Sequence, residues 1–229
     1  MQKRLAILVG GYPLTSIEMS QIVELKDAGG YCVAVDGGLN AFHSLNCVPN
    51  IVLGDMDSCG FDSYRWYAHQ SKKQLFFPSD KDYLDMEAAI DFVRDLGFDE
   101  ACLFGVLGGR IDQTFSCLPF LIRGMTFGLK MTIISENCRM GLFKGPSENS
   151  LPTNPGSRWS FLAISKIVKG FTLRGFKYNV EKGELLRMQT IALSNIAVSS
   201  TLTININKGI IIYFNQPGRQ ENVEHEESV

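Results

Sequence analysis

The chain has 229 residues, enough for one or two domains with a sizeable core. With 45% hydrophobic and 20% charged residues and a net charge of −2, it has no basic excess of the kind that nucleic acid or an anionic membrane surface attracts. Its longest apolar runs are strand-sized, such as Ile210 to Phe214, so no transmembrane helix is expected.

The N-terminus, MQKRLAILVGG, pairs two basic residues with a short apolar run. That run is short and no A-x-A-like site follows it, so a first core strand is expected rather than a signal peptide. RLAILVG reads as a strand and SIEMSQIVELKDAG as a helix closed by Gly29-Gly30. YCVAVDGG is a strand entering a turn, and Leu39 to Leu45 a short helix. PNIVLGD is a third strand, followed by a helix from about Asp62 to Gln70. KQLFFP is a fourth strand, DYLDMEAAIDFVRDLG a helix, ACLFGVLGG a fifth strand, DQTFSCLPFLIRGM a helix and KMTIIS a sixth strand. This alternation predicts an α/β domain over residues 1–140, a mostly parallel sheet flanked by helices. Ligands of such sheets bind beyond the carboxyl ends of the strands.

Near residue 145 the pattern changes. GPSENSLPTNPGS reads as a linker or long loop. RWSFLAIS, KIVKGFTLRGFKYN, STLTININ and GIIIYF then predict a small all-β sandwich or barrel domain over residues 150–215. The tail, 216–229, is polar and acidic and is expected to be disordered. Six scattered cysteines without a C-x-x-C are expected to be free thiols in a reducing, cytoplasmic setting. Three histidines without partners at ligand spacing leave carboxylates to carry any chemistry.

Four segments follow apolar strands: VDGGLN (35–40), LGDMDS (53–58), SDKDYLDME (79–87) and VLGGRIDQ (106–113). Each alone has an ordinary explanation: a glycine turn, an Asx-turn, a helix capped by Asp82 with Asp85 in its first turn, or a turn before a helix. Together they crowd Asp36, Asp55, Asp57, Asp82, Asp85 and Asp112 onto one sheet edge, with Lys81 and Arg110 among them. Such crowding is costly without a counter-charge. Magnesium offsets it, since it takes one or two carboxylates plus substrate phosphates. Glycines admit phosphates to the backbone, and helix N-termini add positive potential. This is the equipment of phosphoryl transfer. No P-loop, dinucleotide fingerprint or G-x-S-x-G elbow is present.

In order and content these segments resemble those of the thiamine pyrophosphokinase family. VAVDGGLN is similar to that family's A-D-G-G-A-N, LGDMDS to G-D-x-D-S, SDKDYLDME to K-D-x-T-D and GVLGGRIDQ to G-G-R-x-D-[HQ]. LSNI (193–196) resembles its S-N motif, and FKYN (176–179) an earlier lysine-aromatic stretch. The resemblance implies an α/β nucleotide-binding domain followed by a β domain, in a homodimer with thiamine between subunits. It implies transfer of the pyrophosphoryl group of ATP to thiamine, leaving AMP. It places Asp55, Asp57 and Asp85 at magnesium, with Asp36 beside them. It makes Asp82, Arg110 and Asp112 the catalytic residues, and sets Gly37, Gly38, Asn40, Lys81, Gly108 and Gly109 at the substrates. Ser194 and Asn195 would touch thiamine.

Two departures stand out. Leu84 replaces the family's threonine, removing a hydroxyl near the phosphates. Ile191-Ala192-Leu193 replaces a serine-rich stretch, leaving fewer polar contacts to the acceptor. Gln113 stands where histidine or glutamine occurs in the family. Asp82 and Asp112 are the candidate bases, and Trp159 and Tyr178 are both open as partners of the acceptor ring. The competing readings are a non-catalytic nucleotide or thiamine diphosphate sensor on the same fold, and the same transfer to another hydroxylated heterocycle.

Overall fold

The protein is described by a computed structural model covering residues 3–70, 73–76 and 82–217. It divides into two compact units, Met1–Leu142 and Phe143–Val229.

The first unit alternates strand and helix: β1 (Leu5–Val9), α1 (Ser16–Asp27), β2 (Tyr31–Val35), α2 (Leu39–Ser44), β3 (Ile51–Gly54), α3 (Phe61–Ala68), β4 (Lys73–Phe76), α4 (Asp85–Asp95), β5 (Glu100–Phe104), α5 (Ile111–Thr126) and β6 (Lys130–Ser135). A last strand, β7 (Cys138–Lys144), follows. The sheet order is β4-β3-β2-β1-β5-β6-β7, parallel except for β7, which runs antiparallel to β6. LAILV, YCVAV and IVLG are near-continuous apolar runs because this sheet is buried on both faces. Ile7, Val9, Cys32, Ala34 and Val52 pack with Ile22 of α1, Phe42 of α2 and Tyr67 of α3. Ala6, Leu8 and Val33, alternate residues on the same strands, are buried too. Each fully buried aliphatic side chain stabilises this core by about 1.5–3 kcal/mol. Thr15 caps α1 by accepting from Glu18 N–H, while the Glu18 carboxylate accepts from Thr15 N–H.

The second unit holds β8 (Ser147–Pro152), β9 (Arg158–Ala163), β10 (Ile167–Arg174), β11 (Val180–Leu186), β12 (Asn195–Ile196), β13 (Thr201–Ile206) and β14 (Ile210–Gln216). Strands β12-β9-β14 form one antiparallel layer and β11-β10-β13-β8 another. Phe161 and Ile211 from the first layer pack with Phe171, Leu173, Leu202 and Ile204 from the second. The unit is an antiparallel β sandwich.

Three features differ from the sequence expectation. The stretch 145–157, expected as a linker, contains β8, which pairs with β13 from Ser147↔Ile206 to Pro152↔Thr201. It is an edge strand, so its alternation of half-exposed and exposed polar residues carries no apolar signal. Strand β11 is likewise an edge strand, dominated by Glu and Lys, which is how natural edges resist further pairing. Strand β7 also escaped the alternating pattern. The tail expected to be disordered lies, from residue 218, outside the described residues, and Gln216 closes β14.

All six cysteines are free thiols. Burial pushes the Cys32 thiol up to about 12 and those of Cys102 and Cys117 up to about 11, so they behave as small core residues. No helix among the described residues is long and apolar enough to cross a membrane.

Candidate active site

The strand order of the first unit reverses at β1, which pairs with β2 on one side and β5 on the other. A crevice opens at such a reversal because the connections leave toward opposite faces. Here it is a cleft of about 410 Å³, lined among others by Gly10, Tyr12, Asp36, Ser58, Asp85 and Arg110. Gly10 N–H donates to Phe104 O at 2.8 Å and Tyr12 N–H to Gly105 O at 3.1 Å, so the β1 and β5 exits are laced together.

On the β2 and β3 side lie three carboxylates. Asp36, Asp55 and Asp57 each offer an oxygen within 4.8 Å of the others. The parallel register Val35↔Leu53 sets Asp36 beside Gly54. A Cβ on Gly54 would sit 3.1 Å from Asp36 Cα, and its φ is +137°, so this position requires glycine. Asp36 and Met56 adopt φ of 47° and 65°, the left-handed region. Burial pushes the Asp36 carboxyl above its ordinary value, against the opposing effect of hydrogen bonds from Ser58 and Gly37. Asp57 N–H donates to Asp55 Oδ1 at 3.2 Å, and Ser58 Oγ–H to Asp57 Oδ1 at 2.9 Å. Asn40 stands behind them: its Oδ1 accepts from Gly60 N–H at 2.9 Å and its Nδ2 donates to Ser58 O at 3.4 Å. Its side chain therefore holds the 55–60 loop.

Asp85 opens α4 and lines the cleft, apart from the close group of three. Leu84, the residue before it, is 45% exposed and also lines the cleft. It caps α4 without a side-chain acceptor, while Glu87 accepts from Leu84 N–H at 3.1 Å. Asp82, considered from sequence as that cap, is two residues too early; it is exposed and is not among the cleft-lining residues. Lys81 lies outside the described residues.

On the β5 side, Arg110 and Asp112 form a two-point ion pair with nitrogen-to-oxygen distances of 2.5 and 3.1 Å. The guanidinium holds the Asp112 carboxyl below the usual carboxylate range. Gly108 has φ of +98° with open space around it. Gly37 and Gly38 are packed from behind: a Cβ on Gly38 would lie 1.9 Å from Val9 O.

In the second unit, Asn195 is buried, and its amide is engaged at both ends: Nδ2 donates to Tyr178 O at 2.7 Å, and Oδ1 accepts from Tyr178 N–H at 3.1 Å and Ile196 N–H at 3.0 Å. It fixes the Lys177–Tyr178 turn. Ser194 is exposed, with φ of 59°, and its N–H donates to Ser160 Oγ at 3.0 Å. Trp159 is buried in the sandwich core, whereas Tyr178 is 64% exposed. Of the histidines, His43 Nδ1 meets Ser63 Oγ at 3.0 Å, between α2 and α3.

Sequence reasoning missed Gly10, Gly11 and Tyr12, whose signal was two glycines directly after an apolar strand.

Two family models match this chain: thiamin pyrophosphokinase, catalytic domain, over residues 23–133, and thiamin pyrophosphokinase, vitamin B1 binding domain, over residues 150–211. The chain belongs to the thiamin pyrophosphokinase family. It is similar to a thiamine pyrophosphokinase of Bacillus subtilis, 26% identical over 181 residues, covering 79% of this chain and 84% of that one. It is also similar to thiamin pyrophosphokinase 1 of Caenorhabditis elegans, 26% identical over 194 residues and covering 79% and 77%. In fold it matches the crystal structure of the Bacillus subtilis protein with a TM-score of 0.83 at 23% identity, covering 93% of this chain and 99% of that one. The yeast thiamin pyrophosphokinase structure matches with a TM-score of 0.73 at 14% identity, covering 94% and 87%. The family indicates an enzyme, an ATP:thiamine diphosphotransferase, in preference to the non-catalytic sensor.

Proposed function

We propose that this chain transfers the β,γ-pyrophosphoryl group of ATP to the hydroxyethyl oxygen of thiamine, with magnesium held by Asp36, Asp55 and Asp57 and with Asp85 close by. The observation that carries the reading is the three carboxylates within 4.8 Å of one another beside a cleft at the strand-order reversal. They suit a hard divalent cation: all are oxygen donors, and a counter-charge would offset the repulsion of like charges this close. Magnesium, when bound, offsets charge on the phosphate oxygens and aligns them.

The chain's own residues do the rest. Gly10, Gly11 and Gly108 let phosphates approach the backbone. Arg110 exchanges Asp112 for phosphate oxygens and stabilises charge on the transferring group. Lys81 adds a second cation. The acceptor oxygen forms a bond to the β-phosphorus, the bond from that phosphorus to the α-phosphate oxygen breaks, and AMP departs. The hydroxyl proton passes to Asp112 or Asp82; Asp112 is freed for this as Arg110 turns to the phosphates. Asn40 acts one step back, by holding the 55–60 loop. Asn195 likewise fixes the Tyr178 turn, so that Ser194 and the exposed Tyr178 ring meet thiamine.

The protein works in the cytoplasm as a homodimer with thiamine bound between subunits. Exposed Leu186, Met188 and Ile191, close in sequence to Ser194, support such an interface. The test is coupled AMP release from Mg-ATP across several hydroxylated acceptors, with mass measured by light scattering. Thiamine-dependent AMP release is expected. No release with thiamine would refute the reading, and release with another acceptor alone would reassign the substrate.

A further inference from the structure

Tyr12 follows β1, and the turn Gly108-Gly109-Arg110 follows β5. Nothing in the reaction proposed above uses Tyr12. Yet its hydroxyl is engaged twice: Oη accepts from Arg110 N–H at 2.9 Å and donates to Gln113 Oε1. An O–H with one donor and two lone pairs can serve both partners at once. The ring packs against Gly109, where an added Cβ would fall 1.7 Å from Cε1 and 2.1 Å from Cζ. The absence of a side chain at Gly109 is therefore explained by this ring. Tyr12 is also anchored through its own N–H to Gly105 O at 3.1 Å. Tyr12, Arg110 and Gln113 all line the cleft.

We propose that Tyr12 is a positioning residue: its phenol pins the turn that carries Arg110 and starts α5, and so sets where the guanidinium sits over the nucleotide phosphates. The proposal deepens the functional reading above and rests on it. The physical reason for such a pin is that Arg110 is exposed and pairs with an aspartate on its own turn, so the pair alone does not fix the turn to the sheet. The Tyr12 hydroxyl does, by joining the β1 exit to the first turn of α5 across a separation of 98 residues.

The test is Tyr12→Phe, which keeps the ring against Gly109 and deletes the oxygen. Two readouts are taken. Amide hydrogen exchange over residues 108–113 in the ligand-free protein reports the contact without reference to any reaction. Steady-state kinetics report its use: kcat/KM for Mg-ATP is expected to fall about 10-fold while the KM for thiamine holds, since the Tyr12 hydroxyl acts through the turn that carries Arg110. In an Arg110→Lys background the same change is expected to cost less than 2-fold, because the turn no longer has the guanidinium to position. Faster exchange at Arg110 together with that non-additivity supports the proposal. Unchanged exchange, or a Tyr12→Phe effect of equal size in both backgrounds, overturns it. A wild-type protein that releases no AMP would overturn the functional reading and with it the catalytic use of Tyr12, while the exchange experiment would still decide whether the phenol pins the turn.

Discussion

Replacing Asp55 with Asn separates the metal reading from a purely structural one, because it should change stability in opposite directions with and without magnesium. Asparagine keeps the shape of the side chain and an Oδ1 that can accept from Asp57 N–H. It removes two of the three repelling pairs in the cluster, since each oxygen lies within 4.8 Å of the others. At that separation a like-charge pair costs about 0.9 kcal/mol in water, and screening at physiological salt cuts this to roughly half. Two pairs thus come to about 1 kcal/mol. For a chain of this size that is an increase in melting temperature of about 2–4 °C in EDTA. In millimolar magnesium the order reverses: wild type gains stability by mass action and the variant gains little. AMP release should fall by at least about 100-fold, as expected for lost charge stabilisation. Thermal unfolding of both proteins in EDTA and across a magnesium series is the assay. An Asp55→Asn protein that melts lower than wild type in EDTA, or that keeps the full magnesium response, would refute the argument.

Gly109→Ala forces a methyl group into the Tyr12 ring, so about 1–3 kcal/mol of stability should be lost. Kinetics should show the same selective loss toward Mg-ATP as Tyr12→Phe, and denaturant melts with nucleotide titrations check both. Asn195→Ala leaves Tyr178 N–H, Tyr178 O and Ile196 N–H without their side-chain partner; a cost of about 2–4 kcal/mol is expected in urea unfolding, with a raised KM for thiamine. Asp91, whose carboxyl is hydrogen-bonded by Arg123 and held below its ordinary value, tests the pH dependence of the fold. A depressed folded value means the pair stabilises above the unfolded carboxylate pKa and loses that contribution as pH falls through the folded value. Asp91→Asn should therefore cost about 1 kcal/mol at pH 7, allowing for solvent screening, and progressively less toward pH 3, as read by urea unfolding at several pH values.

What the sequence made legible follows the physics of burial. LAILV, YCVAV and IVLG announce strands because both their faces are covered, and the aspartates and glycines that follow them could be assigned to one edge on that basis alone. Edge strands β8 and β11 were illegible for the converse reason: half of each is solvated, and polar residues such as Glu148 and Lys182 leave no period to detect. Tyr12 was missed because its partners lie about a hundred residues away, and no local pattern encodes a contact of that range. Asn195 was expected at thiamine from its motif, whereas its amide is spent on the protein's own backbone. Family motifs mark positions without saying whether a side chain faces a ligand or holds the residue that does.

The geometry at Asp36 joins these threads. Its carboxylate is near Asp55 and Asp57 because β2 and β3 pair in parallel with Val35 opposite Leu53. That register runs from Val33↔Ile51 to Val35↔Leu53, and it is what gathers the charges at the strand ends. Two non-glycine residues in this loop pair, Asp36 and Met56, hold left-handed backbone that costs on the order of 1–2 kcal/mol each. Strain and like charge thus coincide at one place, and burial adds to the charge cost at Asp36. A folded core can hold strained dihedrals unaided. It can also carry the repulsion among three carboxylates, which is on the order of 1 kcal/mol, but a bound cation would remove that cost and so convert it into affinity for a ligand.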